Sequence, residues 1–245
     1  MAPARFAALA DIHGNADALD AVLADAATQD VEDVVVLGDH LSGPLAADET
    51  AERLIASRFL AILGNHDRWL IDRPPELMGS WERDAWPKLA RRHLDWLRSL
   101  PATAEHEGAL LLHGVPGDDD CGWLDKVGPD ETRPRAPSEI EAFAEGIGQR
   151  LVLTAHTHLA GAARLADGRL VVNSGSVGCP AFDGGPYLLE SGAPDARYAI
   201  LEAGPAGWCV SFRLVPYDPS RMAAMAETAR RPDWACALRT GRIVR

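Results

Sequence analysis

A chain of 245 residues with 47% hydrophobic content carries enough apolar material for a large core. Its formal net charge of −12, from 24 Lys and Arg against 36 Asp and Glu, argues against a general nucleic-acid binder, whose affinity is built from clustered cations. A small phosphorylated ligand stays possible, because surface charges are screened beyond about 8 Å at physiological salt and a local cationic site governs at contact range.

Taken in chain order, RFAALA (5–10) is a short apolar run ending at Asp11, and ADALDAVLADAA (16–27) repeats apolar residues at helical spacing. The same strand-loop-helix pattern returns in DVVVLGD (33–39), which ends in a carboxylate ahead of a helical segment at about 46–57. FLAILGNHD (59–67) follows as another strand ending in polar residues. Such β-α-β units predict an α/β chain with a sheet that is partly parallel in this half. Residues 68–100 hold four tryptophans (Trp69, Trp81, Trp86, Trp96) among charged positions and read as a helical insertion, the rings serving packing before substrate stacking.

ALLLHG (109–114) and LVLTAHTH (151–158) are again apolar strands ending in histidines. Between them, about 116–138 is rich in Gly, Pro and Asp and reads as an active-site loop. After LVVNSGSVG (170–178), the segments 196–202 and 208–217 alternate like strands completing a second sheet, and a short helix near 220–230 closes the chain. A single domain over 1–245 is the expectation. Four scattered cysteines without a C-x-x-C pair predict reduced thiols, and the lack of a leader-like or membrane-spanning run predicts a cytoplasmic protein with no membrane partner. The oligomeric state is left open.

Metal-ligand residue types gather at the ends of five strand candidates: Asp11 with His13, Asp39, Asn65 with His66, His113, and His156 with His158. Ligands collect beyond the carboxyl ends of strands in open α/β sheets, so groups far apart in sequence can converge. Five of the eight histidines sit in these windows. His40, beside Asp39, is supporting or substrate-facing, while His93 and His106 read as surface or packing residues. Imidazole and carboxylate donors without thiolate suit two divalent ions from among Mn, Fe, Zn, Co and Ni without singling one out, and Mn²⁺ is the ion expected. With Asp11 and Asp39 as the anionic ligands, two divalent ions keep an excess charge of about +2, an attractor for phosphate. Asp39 is the natural bridge between two ions about 3.5–4 Å apart.

As a set, D11-I-H13-G-N15, G38-D39, G64-N65-H66-D67, H113-G, H156-T-H158 and N173-S-G-S-V-G resemble the calcineurin-like metallophosphoesterases, in order and spacing over nearly 170 residues, and in particular their compact bacterial subgroup. The resemblance implies a four-layer α-β-β-α sandwich with a binuclear site at one edge of its two sheets. It implies that Asp11, His13, Asp39 and His158 hold one metal and Asp39, Asn65, His113 and His156 the other. His66 is left to contact phosphate and protonate the leaving oxygen, with Asp67 orienting its imidazole.

Two departures stand out: Ser174 occupies a position often held by Pro, and H-L-S-G-P follows Asp39 in place of an aliphatic-Gly loop. The turn at Gly175 and Ser176 serves either phosphate binding or a tight bend. The expected activity is hydrolysis of phosphomonoesters or phosphodiesters of a small substrate by a metal-bound hydroxide. The alternatives are a non-catalytic interaction module on the same fold and cleavage of an amide or lactone.

Overall fold

The protein is described by a computed structural model covering residues 3–128, 132–183 and 187–244. In chain order the elements are β1 (Arg5–Leu9), α1 (Ala16–Thr28), β2 (Val34–Val36), α2 (Ala47–Ser57), β3 (Leu60–Ala61), α3 (Asn65–Asp72), α4 (Ser80–Ala85), α5 (Arg91–Ser99), β4 (Thr103–His106), β5 (Ala109–Leu112), β6 (Asp125–Val127) and β7 (Thr132–Pro134). They continue with α6 (Pro137–Phe143), β8 (Leu151–Thr154), β9 (Gly161–Arg164), β10 (Leu170–Asn173), β11 (Ala181–Asp183), β12 (Leu188–Glu190), β13 (Ala196–Gly204), β14 (Gly207–Val215), α7 (Ser220–Thr228) and α8 (Pro232–Thr240).

Two five-stranded sheets carry the fold, in the orders β14-β13-β1-β2-β3 and β4-β5-β8-β10-β9. Each holds three parallel strands: β1-β2-β3 run to one edge of the first sheet, with antiparallel β13 and β14 on the other side, and β5-β8-β10 are flanked on both sides by antiparallel β4 and β9. Period-2 alternation assigns the faces. Ala7 and Leu9 of β1 pack outward with Leu19 and Val22 of α1, while Phe6 and Ala8 point inward against Leu111, Leu153 and Val172 of the opposite sheet. The outer face of the second sheet, with Leu112, Val152 and Val171, is covered by Trp123 and by the segment around α6. Helix, sheet, sheet and helix therefore stack in the expected four layers.

Three details differ from expectation. The last two long strands do not build the second sheet: β13 pairs antiparallel with β1 and β14 with β13, so both extend the first. The alternation of 196–217 suits either sheet, and the free edge of β1 decides it. The chain closes on two helices, since Pro232 starts α8 just after α7 ends, and the two pack together over Leu45. The run 59–67 is a strand only at Leu60–Ala61, because helix α3 already begins at Asn65.

Residues 68–100 hold the end of α3 together with α4 and α5, and Leu70, Ala85 and Leu97 pack this segment on α2. The region 116–138 holds the β6-β7 hairpin and the start of α6, with its part 129–131 outside the described residues. No helix among the described residues is long and apolar enough to cross a membrane.

Candidate active site

The parallel strands of both sheets release their chains at one edge, where the loops place the predicted residues together. Asp11 follows β1, Asp39 follows β2, His113 follows β5, and His156 and His158 follow β8. Asn65 and His66 open α3, whose first turn is capped when the Asp67 carboxylate accepts from the Gly64 N–H at 3.0 Å. The β2 and β3 loops touch backbone to backbone: a Cβ on Gly64 would lie 2.5 Å from the Asp39 nitrogen, so only glycine lets Asp39 and Asn65 approach.

Seven of the predicted residues converge as two adjoining donor clusters. In the first, His13 Nε2 and His158 Nε2 face each other at 3.2 Å, and His158 Nε2 lies 3.7 Å from Asp11 Oδ1. In the second, Asn65 Oδ1 lies 3.0 Å from His113 Nε2 and 3.2 Å from His156 Nδ1. Asp39 Oδ2 stands between the clusters, 3.8 Å from His13 Nε2 and 3.3 Å from His113 Nε2. Asp11, His13 and His158, and likewise Asp11, Asp39 and His113, bring ligand atoms close enough to share a cation.

The chemistry of these donors fits cations. Both carboxylate oxygens of Asp11 are fully buried and find no hydrogen-bond partner among the described residues, which for an anion costs several kcal/mol unless a positive charge compensates (on the order of 3–5 kcal/mol for an uncompensated buried charge). Three imidazoles are fixed from behind: His13 Nδ1 by Ser42 Oγ at 2.8 Å, His113 Nδ1 by the Leu37 carbonyl at 2.7 Å, and His158 Nδ1 by the Cys179 carbonyl at 2.8 Å. Those bonds leave each Nε2 turned to the centre. The backbone is bent to the same end, since Asp11, His13, Asp39, His156 and His158 all have φ between 49° and 72°. Left-handed backbone at non-glycine residues costs about 1–3 kcal/mol each and concentrates at functional sites.

Electrostatics set the resting protonation. Burial, together with the charge on His113, pushes His156 down to about 3, and burial pushes His158 down to about 4 and His13 well below its ordinary value. These rings are therefore neutral and able to donate lone pairs. Burial alone would lower His113 too, but the Asp39 and Asp11 carboxylates reverse this and raise it to about 10. Burial raises Asp11 well above the carboxylate range. Asp39, although buried, is held well below it by the charges of His113 and His66.

His66 stands beside the clusters, and the support expected from Asp67 is not what the fold provides. The Asp67 carboxylate turns back into the loop, accepting from the backbone N–H groups of Asp39 at 2.7 Å, His40 at 3.0 Å and Gly64. Adjacency in sequence misleads here, because successive residues on a helix point about 100° apart. The partner of His66 Nδ1 is Glu82, a buried carboxylate from α4. Burial acts to lower the His66 pKa, and Asp39 and Glu82 more than reverse that, leaving it raised.

His40 is neither substrate-facing nor near the donors' open side. It is buried behind Asp39, with Nε2 on the Ile62 carbonyl at 3.0 Å and its ring against Trp96. His93 bonds Glu52, and His106 bonds Asp33 and packs edge-on to Phe6, both in packing roles. The Gly175-Ser176 turn is a structural bend: Ser176 Oγ donates to the Asp11 carbonyl at 2.8 Å and accepts from Cys179 N–H at 2.9 Å, tying the β10 loop to the β1 loop.

Asp120 is an unanticipated neighbour, accepting from Asn65 Nδ2 at 3.2 Å and lying 3.9 Å from His156 Nε2. Its acidic run in the 116–138 segment was the available signal; Glu82 had none. A cavity of about 460 Å³ opens over Asp39, Asn65, His66, His156 and His158.

The Calcineurin-like phosphoesterase superfamily domain matches residues 5–191, which include every one of these groups. The chain belongs to the calcineurin-like phosphoesterase superfamily. Its fold is similar to that of a metallophosphoesterase from Sphaerobacter thermophilus, at 24% identity and a TM-score of 0.74, covering 97% of this chain and 98% of that one. It is similar also to a hypothetical protein from Pyrococcus horikoshii OT3, at 22% identity and a TM-score of 0.74 over the full length of both chains. No curated protein matches the chain. Beyond the matched segment, the loop after β14 and helix α8 still border the site: Tyr217 Oη accepts from Asn15 Nδ2 at 2.9 Å, and the Trp234 ring packs edge-on to His13 at 6.2 Å.

Proposed function

We propose that this chain is a hydrolase of phosphoester bonds in small phosphorylated substrates, working with two divalent cations and with His66 as proton donor to the leaving oxygen. The observation that carries the reading is Asp11, a buried carboxylate with both oxygens unpartnered, beside converging imidazoles. Asp11, His13, Asp39 and His158 would hold one cation, and Asp39, Asn65, His113 and His156 the other. When bound, the pair supplies positive charge for the phosphoryl oxygens and acidifies a water to act as nucleophile.

The protein's own groups do the rest. Asp39 Oδ1 is pinned by the His66 N–H at 2.9 Å, which fixes Oδ2 between the clusters. Glu82 accepts from His66 Nδ1 and so leaves the other ring nitrogen to carry a proton toward the cavity. Asp67 fixes the β2 loop against α3 and thereby sets the distance from Asp39 to Asn65. We read residues 1–245 as one domain, since the ligands come from both sheets, and four free cysteines support a cytoplasmic setting.

A donor set of imidazole, carboxylate and carboxamide suits Mn²⁺, Fe, Zn, Co or Ni, and Mn²⁺ is the first ion to load. The Mn²⁺-loaded protein is expected to turn over p-nitrophenyl phosphate or bis(p-nitrophenyl) phosphate, with chelation abolishing the activity. A filled site that cleaves neither ester with any of these ions would contradict the proposal.

A further inference from the structure

The cavity over the donor clusters is built for more than a phosphate. Its His66 side is aromatic: Trp69 packs edge-on to the His66 ring at 4.8 Å, and Trp81 stacks on the same ring at 5.0 Å and 15°. Phe182 continues the wall from Trp81 at 5.7 Å, and Tyr187, 44% exposed, stands at the rim. Trp69, Trp81 and Phe182 are half-buried and line the cavity, so these rings are not spent wholly on core packing.

Two arginines line the same space and differ in state. Arg231 is already paired with Asp84 and with Asp233. Arg73 lies over the Trp69 ring at 4.2 Å and pairs with no carboxylate among the described residues. In a chain of net charge −12, that leaves a flat cationic surface, half-buried, at the cavity wall. A volume of about 460 Å³ exceeds what a phosphate needs and falls in the range of small-ligand sites.

Aromatic rings and guanidinium planes are the surfaces on which nucleobases stack, and an unpaired guanidinium is suited to bind phosphate through two parallel hydrogen bonds. The aromatic wall surrounds His66, the proposed donor to the leaving oxygen, so the aromatic part of the substrate belongs to the leaving group. We infer that the substrate is a nucleotide carrying a second phosphate: the scissile phosphate lies at the donor clusters, the base against the aromatic wall and the second phosphate at Arg73. Water forms the new P–O bond, the bond from phosphorus to the leaving oxygen breaks, and that oxygen leaves with a proton. The assignment rests on the hydrolytic reading above.

The test compares kcat/KM of the Mn²⁺-loaded protein on adenosine 3′,5′-bisphosphate and adenosine 2′,5′-bisphosphate with that on glycerol 3-phosphate and glycerophosphocholine, with p-nitrophenyl phosphate as reference. At least one of the two nucleotides is expected to exceed both glycerol esters by about 100-fold, as two well-placed contacts supply. Arg73→Ala and Trp69→Leu are each expected to lower that ratio about tenfold or more, chiefly through KM. Turnover of the reference ester with no such preference, or a ratio unmoved in Arg73→Ala, overturns the nucleotide assignment alone. No turnover of any ester at a filled centre overturns the hydrolytic reading and this inference together.

Discussion

Asp39→Asn is expected to lose metal and activity together, with kcat/KM falling by at least about 10²–10³-fold. The reason is the fixed orientation of the side chain. Oδ1 accepts from the His66 N–H at 2.9 Å, so an asparagine keeps its carbonyl oxygen there and turns its NH₂ group to the position of Oδ2. That position lies 3.8 Å from His13 Nε2 and 3.3 Å from His113 Nε2, between the two clusters. The substitution thus replaces a shared anionic donor by a hydrogen-bond donor that repels a cation, at nearly unchanged volume. Metal content by elemental analysis and turnover on p-nitrophenyl phosphate read both effects, with far-UV circular dichroism as the check on folding. Two ions per chain retained with wild-type turnover would remove Asp39 from the bridging role.

His66→Gln should behave in the opposite way, keeping its metals while kcat falls by about 10²–10⁴-fold, and doing so selectively. A proton donor matters most for a leaving group of high pKa, so the loss should be large on alkyl esters and small on p-nitrophenyl esters, whose phenolate departs unaided. Glu82→Gln should produce the same leaving-group dependence in weaker form, because it keeps the volume and removes the charge that holds the imidazole. It should also move the alkaline limb of the pH-rate profile to lower pH. His66 must be protonated to act, so activity is lost as pH rises through its pKa. Burial works to lower that pKa, while Asp39 and the hydrogen-bonded Glu82 raise it, so removing the Glu82 charge lowers it. A steepened dependence on leaving-group pKa separates this role from a packing role, which would lower all substrates equally. Uniform loss across the series in both variants would contradict the assignment.

The candidate donor set was legible because each member sits just past an apolar run: Asp11 follows β1, Asp39 β2, His113 β5 and His156 β8, so the motif carries its own structural context. The partner of His66 was not legible. Glu82 comes from α4, a short helix whose sequence shows only tryptophan and charge, and nothing in its spacing points to residue 66. Asp67 looked like that partner by adjacency, yet its carboxylate caps the turn it belongs to and joins Asp39 to Gly64.

The same distinction holds for the fold. Alternation identified 196–217 as strands, while the choice of sheet depended on the free edge of β1, a tertiary fact that no local pattern encodes. The tryptophans of the insertion were read as packing, and Trp96 does pack against the core, but Trp69 and Trp81 turn partly into the cavity. Ring type alone does not distinguish a wall from a core.

The most direct test of the central claim is a titration of the metal-free protein with Mn²⁺ in which bound metal and turnover of p-nitrophenyl phosphate or bis(p-nitrophenyl) phosphate are followed in the same samples. The account predicts saturation at two ions per chain, with turnover emerging as the second is bound and vanishing on chelation. Saturation at two ions with no turnover of either ester, or full activity at one ion per chain, would contradict it.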